Sequence, residues 1–133
     1  MQSPNIILIV LDTVRARNLS LYGYKRETMP NLSEFAQDAV VFERAYSTAP
    51  WTLPAHASLF TGELPSEHGC HGAKLELDNS TTTIAESLSD SGYETYGISN
   101  NIWVSDNFGL SAGFDVFYKQ WQFFREARDL GHV

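Results

Sequence analysis

A chain of 133 residues, 43% apolar and 19% charged, is long enough for one domain with a single core, and its composition excludes an intrinsically disordered polypeptide. The formal charge of −7, with nine scattered basic residues, excludes the clustered Lys/Arg surface that binding a nucleic-acid backbone requires. The longest apolar run is far short of the ~20 residues that cross a bilayer and follows no basic leader, so neither a membrane span nor a signal peptide is expected.

Residues 5-NIILIVL-11 form a continuous β-branched and apolar run, the pattern of a central parallel strand covered on both faces. It stops at Asp12. The following 13-TVRARNLSLYGYKRETMP-30 is polar, with turn signals at Gly23 and Pro30, and reads as a loop over the carboxyl end of that strand, where function is commonly placed. In 31-NLSEFAQDAV-40, Leu32, Phe35, Ala36 and Ala39 recur at helical spacing, and Asn31 with Glu34 resembles a capping pair. A short strand over Val40 to Phe42 is expected next.

Pro54 to Thr61 reads as a helix, with Pro54 suited to a first turn and Gly62 as its stop. A further helix is expected over roughly Thr83 to Ser91, with Ile84, Ala85 and Leu88 on one face and Gly92 beyond its end. Tyr93 to Ile98 alternates as a second core strand. Strands and helices in this order predict an α/β domain with a mainly parallel sheet flanked by helices. The final 121-WQFFREARDLGHV-133 has helical character, with Trp121, Phe124 and Leu130 on its apolar face and little chain left to cover them.

The segment 50-PWTLPAHASLFTG-62 is the most informative. Thr52 stands at the start of a helix, where backbone N–H groups and the macrodipole favour an anion by ~0.3 to 1 kcal/mol at exposed sites. Two readings are open: an ordinary N-cap, or a hydroxyl nucleophile for a sulfate or phosphate ester. Asp12, at the end of an apolar strand, is either a loop residue or a cation ligand. Trp51 flanks Thr52 and is a candidate wall of a substrate pocket. His68 and His71 in 68-HGCHG-72 are spaced for metal ligation but sit among loop glycines. Cys70, the single cysteine, reads as a small buried or loop residue; with no internal disulfide possible and no leader, it predicts a cytoplasmic context. Trp103, Phe108, Phe114, Phe117 and Tyr118 read as core aromatics.

Five pieces in order resemble the N-terminal part of the sulfatases, within the alkaline phosphatase superfamily: 5-NIILIVLD-12, 29-MPNLSEFAQDAVVFERAY-46, 52-TLPAHASLFTGELPSEHG-69, 83-TIAESLSDSGYETYGI-98 and 113-GFDVFY-118. The family pattern C-x-P-S-R-A-S-L-L-T-G lies over Thr52 to Gly62. The resemblance implies an alkaline-phosphatase/sulfatase-like fold, of which residues 1–133 would be an incomplete N-terminal part. It also implies Asp12 as a divalent-metal ligand, without distinguishing Ca, Mg, Mn or Zn, and Thr52 as the nucleophile.

The departures bear on chemistry. Sulfatases proper oxidise Cys or Ser at the nucleophile position to formylglycine, and Thr52 cannot follow, because its β-carbon carries a methyl group. A covalent ester on Thr52 would be cleaved by water or passed to an acceptor alcohol, as in phosphodiesterase-like, phosphonate-hydrolase-like and phosphoethanolamine- or phosphoglycerol-transferase-like members. The second Asp of the family's Asp-Asp pair is Thr13 here. The motif Arg is His56, still able to donate a hydrogen bond to an anion or the nucleophile. The family's Gly-Lys-Trp-His falls on Ser99, Asn100, Asn101 and Ile102, so Asn100 reads either as a neutral donor to substrate or as a turn residue.

The remaining ligands of that family lie beyond the motifs present here, and one carboxylate with one hydroxyl does not complete a divalent site. The expected function is therefore a metal-dependent hydrolase of small sulfate or phosphate esters, inactive as a fragment. The competing reading is a non-catalytic anion-binding or assembly module. A core built for a larger sheet would leave apolar surface exposed, and a homo-oligomer is expected from it.

Overall fold

A computed structural model describes residues 4–123, which fall into two units divided between Tyr46 and Ser47. In the first unit, residues 4–11 form no regular element and have no ladder partner among the described residues. Their side chains are exposed on both sides, Ile7 to 83% and Ile9 to 76%. The covered central strand expected over 5–11 is therefore not formed: an apolar run supplies a reason to be buried but no row of donors and acceptors to pair with.

The expected loop over 13–30 contains two 3-10 turns, Ala16–Asn18 and Ser20–Tyr22, the second closed by Gly23 at φ 87°. Helix α1 spans Pro30–Phe35 and tightens into a 3-10 turn, Ala36–Asp38. Pro30 opens this helix rather than ending the loop, because its fixed φ and missing N–H suit a first helical position. The N-cap is Met29 without a side-chain hydrogen bond, so the expected capping role of Asn31 with Glu34 is not taken up. Val40 to Phe42 are exposed coil, not a strand.

The second unit holds every buried residue among those described. Helix α2, Thr52–Thr61, ends on Gly62 at φ 75°, a left-handed turn that a side chain would strain. The single-turn α3, Pro65–His68, begins where Glu67 Oε2 accepts the N–H of Leu64 at 2.7 Å. Helix α4, Ile84–Asp90, is capped reciprocally: Thr83 Oγ1 accepts from Glu86 N (3.1 Å), and Glu86 Oε2 accepts from Thr83 N (2.7 Å). Thr83 Oγ1 also donates to Ala112 O at 3.0 Å, which ties the start of α4 to a distant loop.

Strands β1 (Tyr96–Ser99) and β2 (Val116–Lys119) pair in parallel, Tyr96 opposite Val116 and Ser99 opposite Lys119. The expected strand thus starts three residues later than Tyr93, and its large side chains face outward: Tyr96 and Ile98 are exposed, while Gly97 and Ser99 are buried. Gly97 is required there, since a Cβ would lie 2.4 Å from the ring of Phe117. The core gathers Leu53, Ala57 and Phe60 of α2 with Cys70, Leu77, Val104 and Leu110, and Trp103, Phe108 and Phe114 pack against it. Of the expected core aromatics, Tyr118 is instead half exposed. Residues 120–123 turn helical; Phe124 and Leu130 of the expected terminal helix lie outside the described residues.

Candidate active site

Thr52 is the first residue of α2. The N-cap is Trp51, extended at φ −145° and ψ 165°, whose side chain makes no capping hydrogen bond, and Thr52 stands one position inside the helix. Within the helix the first turn bonds from Ala55 N to Trp51 O at 3.4 Å. The first turn of a helix lies ahead of its i to i−4 ladder, and Pro54 within it has no N–H. The positive end of the α2 dipole is thus presented at Thr52 itself, which is half-buried.

His56 sits one turn on, buried, with Nδ1 2.9 Å from the carbonyl oxygen of Thr52. A carbonyl only accepts, so Nδ1 carries the proton and donates, and the ring braces the first turn of α2. Its ring lies edge-on to Phe60, centroids 6.3 Å apart.

Trp51 is 37% exposed and meets Trp103 nearly at right angles, with centroids 5.5 Å apart. Trp103 in turn stacks on Phe108 at 4.8 Å. The loop leaving β1 is pinned locally: Ser99 Oγ donates to Asn101 O (3.0 Å) and accepts from Asn101 N (3.1 Å), and Asn101 Oδ1 accepts from Trp103 N (3.0 Å). Asn100 lies exposed at the tip of this turn, directly after the carboxyl end of β1. The structure therefore brings Trp51, Thr52 and His56 together on α2 and joins them, through Trp103, to the loop that carries Asn100.

Asp12 belongs to the first unit, in a turn after the apolar run, and it is exposed. Thr13 beside it adopts φ 64°, a left-handed conformation that costs a β-branched residue roughly 1–2 kcal/mol. No group of three or more His, Cys, Asp or Glu able to hold a metal occurs among the described residues. These residues alone therefore do not fit a divalent cation, which requires several oxygen ligands in a fixed geometry.

The His68/His71 spacing does not make a metal site. His68 Nδ1 accepts from the backbone N–H of Cys70 at 3.0 Å, which leaves the proton on Nε2, 3.0 Å from Ser58 Oγ. That tautomer donates to Ser58, so His68 cannot act as its base; the pair joins α2 to α3. Burial holds the His68 pKa below its ordinary value, opposed by the nearby Glu63 carboxylate. Burial likewise raises the thiol pKa of Cys70, which is fully buried, the first of the two places, buried or loop, that the sequence left open. Ser58 and the Trp51–Trp103 contact were not legible as functional partners in the sequence; a Trp shortly after a strand's carboxyl end was the available signal for the second.

Residues 4–129 match the family model described as Sulfatase. The chain is 33% identical over 81 residues to N-acetylgalactosamine-6-sulfatase from Homo sapiens, covering 61% of this chain and 16% of that protein. It is 36% identical over 93 residues to an arylsulfatase from Clostridium perfringens, covering 69% and 19%. The chain thus spans less than a fifth of the length of these curated relatives. The crystal structure of the phosphonate monoester hydrolase of Agrobacterium radiobacter superposes with a TM-score of 0.67 at 25% identity, covering 86% of this chain and 27% of that one. Parallel strands, flanking helices and a family match across nearly the whole chain agree: it belongs to the sulfatase family.

Proposed function

We propose that this chain carries the nucleophile of a hydrolase of small sulfate or phosphate esters, and that Thr52 is that nucleophile. The observation that carries the reading is the position of Thr52 at the head of a ten-residue helix whose N-cap brings no capping side chain. An ester anion placed there gains the first-turn N–H groups and the helix dipole, and the same helix start holds the attacking hydroxyl. Thr52 Oγ1 forms a bond to sulfur or phosphorus, and the alcohol oxygen leaves with the proton that the hydroxyl gives up. Water then cleaves the Thr52 ester, releases sulfate or phosphate, and returns a proton to Oγ1. This hydrolytic exit follows from the methyl group on the Thr52 β-carbon, which bars the aldehyde route; an acceptor alcohol in place of water would make the same intermediate a transferase step.

His56 holds the first turn through the Thr52 carbonyl, Trp51 walls one side of the nucleophile, and Asn100 offers a neutral amide from the β1 loop. Asp12 is proposed as one ligand of a divalent cation whose other ligands would come from outside the described residues. Self-association through exposed apolar side chains such as Ile7, Ile9 and Ile98 belongs to the same proposal, as does a reducing, cytoplasmic setting for the unpaired Cys70. No helix among the described residues is long and apolar enough to cross a membrane. The lack of a three-donor cluster among the described residues favours one second reading, an anion-binding module without turnover.

Kinetics on the intact protein separate the two. With aryl sulfate, phosphate monoester and phosphonate ester substrates and added divalent metal, Thr52→Ala is expected to lower kcat/KM by about 10³-fold or more on the true substrate class. Undiminished turnover in that variant removes Thr52 from the chemistry.

A further inference from the structure

Resting on the nucleophile assignment above, we propose that Trp103 is a positioning residue for Thr52, acting through Trp51. Trp51 sets the backbone entry into α2, and it contributes no side-chain hydrogen bond to that end. What fixes its side chain is therefore packing, and its indole meets that of Trp103 edge to face, with centroids 5.5 Å apart. Trp103 is itself held from two directions. Its backbone N–H donates to Asn101 Oδ1 at 3.0 Å, and its ring stacks on Phe108 at 4.8 Å. Asn101 is anchored in turn by two hydrogen bonds with Ser99, the buried last residue of β1.

A continuous series of contacts thus runs from the carboxyl end of β1, through Asn101, Trp103 and Trp51, to the residue that precedes the nucleophile. The chain enters α2 through Trp51, whose own side chain makes no capping hydrogen bond, so the packing of that indole bears on the entry geometry. Trp103 does not touch Thr52 in this scheme; it fixes the χ angles of Trp51 and, with them, the approach of the chain to the hydroxyl. A displaced nucleophile loses transition-state geometry more than ground-state affinity, so the effect falls on kcat.

The test measures the Trp51–Trp103 contact and the reaction in the same variants. In the wild-type protein the paired indoles should give an exciton couplet in far-ultraviolet circular dichroism, and it should vanish in Trp103→Phe and Trp103→Leu. Trp103→Leu should lower kcat by about tenfold to 100-fold with KM within about twofold, and Trp103→Phe, which keeps an aromatic edge for Trp51, should recover most of that loss. If Trp103→Leu does not fold, the couplet and the Trp103→Phe kinetics decide. A wild-type protein without the couplet, a folded Trp103→Leu with unchanged kcat, or a Trp103→Phe as impaired as the Leu variant or raising KM instead overturns the proposal. Wild-type protein without turnover of any ester instead removes the nucleophile assignment on which the proposal rests.

Discussion

The unit beginning at Ser47 closes around Leu53, Ala57, Leu77 and Leu110, and two of its helices stop on left-handed glycines, Gly62 and Gly69. The unit ending at Tyr46 has none of the buried residues, although it carries the longest apolar run in the chain, Ile6 to Leu11. Apolar content therefore does not by itself produce a core. A helix satisfies its own backbone and needs only a surface to lie on, whereas an extended run needs a neighbouring strand for every second N–H and C=O before burial becomes favourable. The proposed nucleophile stands in the first kind of environment and the proposed metal ligand Asp12 in the second.

Core truncation should break the symmetry between the units most clearly. Leu53→Ala, at a fully buried position, is expected to cost about 2–5 kcal/mol in a denaturant titration. Ile7→Ala, at a position 83% exposed, should stay within about 0.5 kcal/mol. Equal losses would mean that residues 5–11 are buried in solution.

A smaller contrast lies at the helix starts. Thr83→Ala removes the acceptor for Glu86 N and the donor to Ala112 O, and should lower stability by about 0.5–2 kcal/mol. Asn31→Ala in α1, which makes no capping bond, should change nothing measurable. A loss at Asn31 matching that at Thr83 would restore the capping role that its sequence suggests.

The smallest effect is with pH. His68 is held neutral by burial, with its folded pKa below the ordinary 6.5. The unfolded chain thus takes up the proton first, so the His68 contribution to stability is complete above pH 6.5 and is lost as pH falls through the lowered folded value. His68→Gln should flatten that part of the stability profile, and an unchanged slope would assign the acid sensitivity to carboxylates.

These contrasts also explain what could be read from the sequence. Helix α2 with its Gly62 stop, α4 with Gly92 beyond it, and the placement of Thr52 depend on signals a few residues apart, and they were legible. The family frame over 4–129 was legible for the same reason, as short motifs in fixed order. The unpaired state of residues 5–11 was not, because pairing depends on a distant partner that periodicity cannot name. Which face of β1 is buried depends on Phe117, twenty residues on, whose ring occupies the space over Gly97 while Tyr96 and Ile98 are exposed. The position of Trp51 beside Thr52 is given by adjacency in the chain, but its contact with Trp103 and the Ser58–His68 bond are products of tertiary packing.

The central claim, that Thr52 is the attacking group, is tested most directly by trapping its ester. The intact protein would be mixed with an activated sulfate or phosphate ester, quenched in acid during turnover, and digested for mass spectrometry. A sulfuryl or phosphoryl group is expected on the peptide containing Thr52, and none in Thr52→Ala. An adduct on another residue, or turnover by Thr52→Ala at the wild-type rate, would contradict it.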